Sequence, residues 1–148
     1  EWQGQRIAPN ICYEDLFGEE LAARFSDPAQ APTVLVNFSN IGWFGNTLAV
    51  DQHLQISRMR ALELERPMVR ATNTGATVII DHRGVVTHAL ERFSRGVLRG
   101  EVHGRGLGVS GDAGITPFAW WASRWGLWPL WLLAGLGVAA GWLGRRRR

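Results

Sequence analysis

Apolar and polar positions in the first hundred residues follow two kinds of pattern, which together predict an α/β fold. Thr33–Phe38 is a nearly continuous apolar run, as is typical of a strand covered on both faces. Arg6–Ile11 is a shorter candidate strand, in which Pro9 favours a sheet edge or an irregularity. Helices are predicted over Glu14–Phe25 and Asp51–Glu65, the second of which is ended by Pro67, two residues further on.

The pattern that follows predicts a β-hairpin and a last strand. Ala76–Ile80 and Val85–Leu90 flank a turn over Asp81–Gly84, which is the arrangement of two paired strands. Val97–Val102 is predicted as the final strand of the fold. The glycine-rich segment 103–115 is predicted to be a linker to the apolar C-terminal part of the chain.

Residues 125–144 form an uncharged segment of twenty residues. A helix rises about 1.5 Å per residue, so this segment is long enough to cross a hydrocarbon core of about 30 Å. Six of the eight tryptophans lie between residues 120 and 142, at both edges of the segment, where interfacial anchors occur. The sequence therefore predicts one transmembrane helix over 125–144, with the basic tail 145–148 on the cytoplasmic side. A buried hydrophobic C-terminal helix is the alternative.

Charge and composition narrow the classes of function. The formal net charge is +3, and all sixteen basic residues are arginines, so the chain has no lysine. Four arginines form the terminal run, and the rest of the chain is nearly neutral, without a basic stripe that interleaves with aromatic residues. We therefore expect no nucleic-acid partner. A single cysteine excludes an intrachain disulfide and a multi-cysteine zinc site, and the four histidines lack a metal-binding spacing, so no metal and no cofactor are expected.

The single cysteine lies between the first predicted strand and the first predicted helix. A strand–turn–helix junction exposes a side chain at the sheet edge, and a helix N-terminus there favours a thiolate, the nucleophilic form of cysteine. The next backbone N–H group, that of Tyr13, is placed to bind an oxyanion. Cys12 is therefore a candidate nucleophile, and the alternative is a buried small apolar side chain.

A series of short motifs resembles known proteins. Ile11-Cys12-Tyr13-Glu14 is similar to the nucleophile motif of the nitrilase superfamily. Further motifs follow in order along the chain: Val36–Gly45, Gln52–Glu63, Arg66–Pro67, Arg70–Gly75, Ile80–Gly84 and Gly114–Phe118. Together, ahead of an apolar terminal segment, they resemble the apolipoprotein N-acyltransferase family over nearly the whole chain.

The resemblance implies a fold, a reaction and a location. Residues 1–118 would be the C-terminal portion of an extracytoplasmic α-β-β-α sandwich domain, joined to the inner membrane of a bacterium on its periplasmic side. The family moves an acyl chain from a phospholipid to the N-terminal amine of a diacylglyceryl-cysteine apolipoprotein. The expected partners are therefore the phospholipid donor, the apolipoprotein acceptor and the membrane, and the protein is expected to be a monomer.

The resemblance also implies roles for individual residues. Cys12 would carry the acyl chain as a thioester, the Tyr13 amide would form part of the oxyanion site, and Glu14 would have a supporting role, holding the loop or the amine. The superfamily triad is Glu-Lys-Cys, with its glutamate and lysine normally upstream of the cysteine. Since this chain has no lysine, we expect the remaining triad members on an N-terminal part of a longer polypeptide. A remnant that has lost them is the alternative.

Other candidate residues have weaker signals. Trp43 and Phe44 lie in a loop with flanking glycines, where aromatic side chains could line an acyl pocket, touch the lipid surface, or pack beneath the loop. Four arginines are interpreted as surface partners of Glu63 and Glu65, with phospholipid phosphate as the other interpretation. These are Arg58, Arg60, Arg66 and Arg70.

Two other classes of function stay open at this stage. A nitrilase-like amidase would use the same cysteine with water as the second nucleophile, and it would release ammonia without dependence on phospholipid. A noncatalytic membrane-anchored module is the other alternative, because the triad within this sequence is incomplete.

Overall fold

A computed structural model describes residues 4–106 and 114–146 of the chain. Within this part, the strands form one mixed sheet in the order β1-β2-β3-β4-β5. The strands are β1 Ile7–Ile11, β2 Val34–Ser39, β3 Met68–Thr72, β4 Val78–Ile80 and β5 Val86–Ala89. The first three strands are parallel, and β4 and β5 continue the sheet in antiparallel fashion. The predicted α/β class and the predicted hairpin are therefore confirmed.

The α-helices are α1 Gly18–Ala22, α2 Leu48–Leu64, α3 Pro117–Trp125 and α4 Trp128–Arg146. Helices α1, α2 and α3 pack against the sheet, whereas α4 is largely exposed. Helix α2 confirms the predicted second helix, although it begins three residues earlier than predicted. It ends at Leu64 and is capped by Glu65, whose φ of 49° lies in the left-handed region that commonly closes helices.

The hydrophobic core lies on one face of the sheet. Ala8, Leu35, Met68 and Ile80 are buried there, packed against side chains of α1, α2 and α3, among them Leu21, Leu64 and Ala119. Side chains alternate across a strand, so the neighbouring residues point to the opposite face. On that face Ile7, Ile11 and Phe38 are exposed. The core therefore ties the helices to one side of the sheet and leaves an apolar surface on the other.

The predicted continuous helix over Glu14–Phe25 is wrong. The structure has a 3₁₀ helix over Cys12–Leu16, then α1, then a second 3₁₀ helix over Ala23–Phe25. The break lies at Phe17, whose φ of −96° and ψ of 83° are not helical. Asp15, just before the break, is fully buried and hydrogen-bonded to α2 and β3. Tertiary contacts of this kind hold the segment in a shape that local helix propensity does not predict.

The predicted final strand over Val97–Val102 is also wrong. This segment has no regular structure, and at Gly100 it packs closely on Ile79, where an added Cβ would lie 2.6 Å from the Ile79 Cδ1 atom. The predicted linker 103–115 lies partly outside the described residues. Its first residues are fixed to the sheet, since the Arg105 amide donates to the Thr33 carbonyl oxygen at 3.0 Å.

The single transmembrane helix predicted over 125–144 is not confirmed. Among the described residues, no one helix is both long and apolar enough to cross a bilayer. Helices α3 and α4 meet that requirement only as a pair, and the pair is bent by 70°. The bend falls at Gly126, whose φ of 52° ends α3 before Leu127 and Trp128 lead into α4.

Candidate active site

Cys12 has an unusual backbone conformation at the end of β1. The strand ends at Ile11, and Cys12 begins the 3₁₀ helix with a φ of 52°, in the left-handed region. For a residue with a Cβ this conformation costs about 1–2 kcal/mol. Such strain persists only where surrounding contacts enforce it, and it is concentrated at functional sites. The thiol is free and the residue is partly exposed, so the side chain is accessible.

A row of buried polar residues lies beneath Cys12. Asn10, Asn37 and Arg70 are direct register partners across β1, β2 and β3, and all three are buried on the helix-covered face. The Asn37 Nδ2 atom donates to the Cys12 carbonyl oxygen at 3.0 Å and to the Asn10 Oδ1 atom at 2.5 Å. Ser39 donates in turn to the Asn37 Oδ1 atom at 2.6 Å. The asparagine therefore holds the backbone of the cysteine from below.

Asp15 forms a second buried cluster on the same turn. Its carboxylate accepts hydrogen bonds from the His53 Nε2 atom at 2.9 Å and the Ser57 Oγ atom at 2.5 Å. It also pairs with the Arg70 Nη1 atom at 3.2 Å, and Arg70 donates a further hydrogen bond to Ser57. Burial lowers the pKa of Arg70, while the charges of Asp15 and Cys12 act in the opposite direction. The cluster connects the cysteine turn to α2 and β3.

Tyr13 and Glu14 complete the first turn after the cysteine. The Tyr13 amide belongs to the first turn of the 3₁₀ helix, where backbone N–H groups have no acceptor within the helix. The Glu14 Oε2 atom accepts a hydrogen bond from the Ile11 amide at 2.6 Å. The glutamate therefore folds back onto the residue before Cys12 and closes the turn.

An apolar cavity of about 370 Å³ opens beside Cys12. Its volume falls in the range of about 300–1,000 Å³ that is usual for small-molecule sites. Leu16, Ile56 and the pair Trp43 and Phe44 are among its apolar wall residues, and Gln52 and His53 contribute polar groups. The rings of Trp43 and Phe44 stack with their centroids 4.2 Å apart, and 72% of Trp43 is exposed. The structure thus brings both predicted aromatic residues to the candidate nucleophile.

Sequence reasoning missed the polar cluster and misjudged some of the arginines. Arg60 does pair with Glu63 at 2.8 Å on α2, as predicted. Arg66 and Arg70 are buried instead, and burial next to Arg105 lowers the pKa of Arg66 to about 10. The only local signal for the cluster was an acidic residue three positions after the cysteine. In the described part of the chain, no group of three His, Cys, Asp or Glu side chains could hold a metal ion.

The sequence of this chain is similar to those of known proteins. Residues 1–106 match the family model of carbon-nitrogen hydrolases. An apolipoprotein N-acyltransferase of Verminephrobacter eiseniae is 79% identical over 126 residues, which are 85% of this chain and 24% of that protein. Another from Ralstonia nicotianae is 52% identical over 145 residues, covering 98% of this chain and 25% of that protein. The chain thus spans about a quarter of the length of these relatives.

The fold has counterparts among solved structures. An amidase of the nitrilase superfamily from Nesterenkonia aligns with a TM-score of 0.53 at 18% identity, over 66% of this chain and 38% of the amidase. At this identity the likeness establishes the fold alone. Together with the family match over residues 1–106, it shows that the chain has a nitrilase-like α/β fold and belongs to the carbon-nitrogen hydrolase family.

Proposed function

We propose that this chain is the C-terminal portion of a phospholipid:apolipoprotein N-acyltransferase, which completes the maturation of bacterial lipoproteins. The observation that carries the proposal is the strained Cys12 at the end of β1, which opens on an apolar cavity. The similar proteins from Verminephrobacter eiseniae and Ralstonia nicotianae are apolipoprotein N-acyltransferases, which supports the same activity. An apolar wall suits a fatty acyl chain, because burying methylene groups is favourable.

The proposed reaction has two steps that share one thioester. The Cys12 thiolate attacks the carbonyl carbon of a phospholipid ester, the C–S bond forms and the ester C–O bond breaks. The lysophospholipid leaves as the alcohol, with the proton that the thiol gave up. The amine of diacylglyceryl-cysteine then attacks the thioester, forms the amide and releases the thiol. The Tyr13 amide would stabilise the oxyanion of both tetrahedral intermediates. The triad glutamate and lysine would come from a part of the protein outside this sequence.

Other residues take supporting roles in this scheme. Glu14 would keep the cysteine turn closed through its bond to the Ile11 amide. Trp43 and Phe44 would contact the acyl chain, because their stacked rings form one wall of the cavity. Cofactors take no part, and the protein would act as a monomer.

The apolar C-terminal part fits a membrane location. The exposed tryptophans of α3 and α4, among them Trp121, Trp125 and Trp131, suit the bilayer interface, where aromatic side chains are enriched. We place the proposed site on the periplasmic side of the inner membrane and the terminal arginines in the cytoplasm, as the family resemblance implies.

Mass spectrometry of the Cys12 peptide from the full-length protein tests the proposal. We expect a fatty-acyl adduct, labile to hydroxylamine, when phospholipid is present, and none in the Cys12→Ala variant. A free thiol in active wild-type protein would overturn the proposal. Release of ammonia from small amides without phospholipid would favour an amidase instead.

A further inference from the structure

Two asparagines meet where β2 and β3 end. Ser39 and Thr72 are register partners and the last residues of their strands, so the residues that follow them, Asn40 and Asn73, are neighbours. The Asn73 Nδ2 atom donates to the Asn40 Oδ1 atom at 2.8 Å. The Asn73 Oδ1 atom accepts a hydrogen bond from the Ile41 amide at 3.0 Å. Both ends of the Asn73 side-chain amide therefore hold the chain as it leaves β2.

Asn40 in turn is bonded to the aromatic wall of the Cys12 cavity. The Trp43 Nε1 atom donates to the Asn40 carbonyl oxygen at 2.8 Å, and the Gly42 amide donates to the Asn40 Oδ1 atom at 3.3 Å. A Cβ at position 42 would lie 3.0 Å from the Asn73 Nδ2 atom, so the glycine allows the two asparagines to approach the loop closely. The hydrogen bonds thus run from the end of β3 to the indole of Trp43.

Packing alone does not hold Trp43. Ile41 is completely buried in a small cluster with Val50 and Ala76, which fixes the base of the loop. Trp43 lies beyond this cluster, mostly exposed, and stacks on Phe44. A large exposed side chain loses rotamer freedom when it is held in one orientation, so specific bonds are needed to compensate for this entropy. The bond from the Trp43 indole to the Asn40 carbonyl oxygen is such a bond.

The turn that carries Asn73 is itself closed by hydrogen bonds. The Thr72 amide donates to the Thr77 Oγ1 atom at 3.1 Å, and that hydroxyl donates to the Thr72 carbonyl oxygen at 3.1 Å. The Thr72 hydroxyl also donates to the carbonyl oxygen of Gly75, which is buried. Asn73 is therefore attached to a tight connection between β3 and β4, and it is a fixed support for the loop after β2.

We propose that Asn40 and Asn73 form a clamp that positions Trp43 and so determines how well the cavity accepts a long acyl chain; this inference rests on the function proposed above. A long chain buries more apolar surface against the wall than a short chain does, so its reaction depends more on a correctly placed indole. Neither asparagine lines the cavity formed by the described residues. Both are positioning residues, which act through Trp43.

The test compares a dipalmitoyl with a dihexanoyl phospholipid as acyl donor for the full-length protein in one detergent, with acylation of Cys12 followed by mass spectrometry. Asn73→Ala removes both side-chain bonds, whereas Asn73→Asp keeps the acceptor for the Ile41 amide and loses the donor to Asn40. Asn40→Asp is the conservative variant, because a carboxylate oxygen accepts the same two hydrogen bonds as the Asn40 Oδ1 atom. Asn46→Ala is the matched control, since Asn46 is an exposed asparagine of the same loop that does not line the cavity.

We expect Asn73→Ala and Asn73→Asp to slow acylation by the dipalmitoyl donor about tenfold, the effect of roughly one lost hydrogen bond, and acylation by the dihexanoyl donor less than about twofold. Asn40→Asp should recover most of the rate that Asn40→Ala loses. Asn46→Ala should acylate at the wild-type rate with both donors. An equal loss with both donors, a wild-type rate in Asn73→Ala, or the same loss in Asn46→Ala would overturn the inference.

The double variant Asn73→Ala with Trp43→Ala shows whether the clamp acts through the indole. In the Trp43→Ala background, Asn73→Ala should slow the dipalmitoyl reaction by less than about a further twofold, because the two changes remove one shared interaction. Losses that multiply would show that Asn73 acts through the fold in general and would overturn the inference. Absence of any thioester in the wild-type protein would instead refute the proposed function.

Discussion

The carboxylate of Asp15 lies 3.2 Å from the Nη1 atom of Arg70, and both side chains are completely excluded from solvent. Asp15 follows Cys12 by three residues, whereas Arg70 lies on the third parallel strand. The pair therefore anchors the cysteine turn to the middle of the sheet. His53 and Ser57 add bonds from α2, so that one carboxylate connects three elements around the candidate nucleophile.

Removing one partner of this pair should destabilise the fold strongly. Asp15→Asn leaves the Arg70 charge buried without a counter-charge, and we expect a loss of about 3–5 kcal/mol in the free energy of unfolding. The double variant Asp15→Asn with Arg70→Met should lose less than the sum of the two single variants, because they share one interaction. Thermal unfolding of the purified protein measures both quantities. Additive losses would show that the pair is not coupled.

Two substitutions of Cys12 should distinguish the role of its thiol in acyl transfer from the cost of its backbone strain to stability. Cys12→Ala and Cys12→Gly should both abolish acyl transfer, since neither has a thiol. The glycine variant should be about 1 kcal/mol more stable than the alanine variant, because glycine adopts the φ of 52° without a Cβ clash. Unfolding of the two variants under identical conditions provides the comparison. Equal stability would mean that the backbone relaxes once the thiol is gone.

The role of Glu14 can be read from a matched pair of variants. Glu14→Gln retains an oxygen that can accept the Ile11 amide, whereas Glu14→Ala does not. If the side chain acts by closing the turn, the glutamine variant should keep most of the activity, and the alanine variant should lose at least about tenfold, the equivalent of one hydrogen bond of about 1.4 kcal/mol. Steady-state acyl transfer is the measurement. Equal losses in both variants would point to the charge instead.

Substitution of Trp43 should change the rate of thioester formation more than the stability of the fold. Because 72% of its surface is exposed, Trp43→Ala should change the free energy of unfolding by less than about 1 kcal/mol. It should nevertheless slow thioester formation with long-chain phospholipids, since one wall of the cavity is lost. Val97→Ala, at an exposed residue outside the cavity, is the control for nonspecific effects. Identical rates for Trp43→Ala and Val97→Ala would remove Trp43 from the proposed site.

His82 should make stability depend on pH in the mildly acidic range. Burial, with a further contribution from Arg105, lowers the pKa of His82 below its ordinary value of 6.5. Because the folded-state pKa of His82 is lowered, the unfolded chain binds the proton more readily. The contribution of His82 to the free energy of unfolding is therefore fully present above pH 6.5 and is lost as the pH decreases through the folded-state pKa. His82→Gln should flatten this part of the profile. Unfolding temperatures of both proteins from pH 7.5 to 5 test it, and parallel curves would contradict the assignment.

Local sequence determined most of the regular elements. The apolar run Thr33–Phe38 became β2, and the two segments around the Asp81–Gly84 turn became the hairpin β4–β5. The glycine in that turn is required, because Gly84 has a φ of 75° and a Cβ would lie 2.8 Å from the Arg58 carbonyl oxygen. Such elements follow from patterns a few residues long, which a single sequence contains.

The nucleophile motif was also evident in the sequence, because Cys12, Tyr13 and Glu14 are adjacent. The Asp15 cluster was not, because its members are separated by up to 55 residues and meet only when β1, β2 and β3 pair in register. That register places Asn10, Asn37 and Arg70 side by side and turns Asp15 inward, which breaks the predicted helix at Phe17. Hydrogen bonds and charge pairs of this kind depend on distances in space, so only the tertiary structure could decide them.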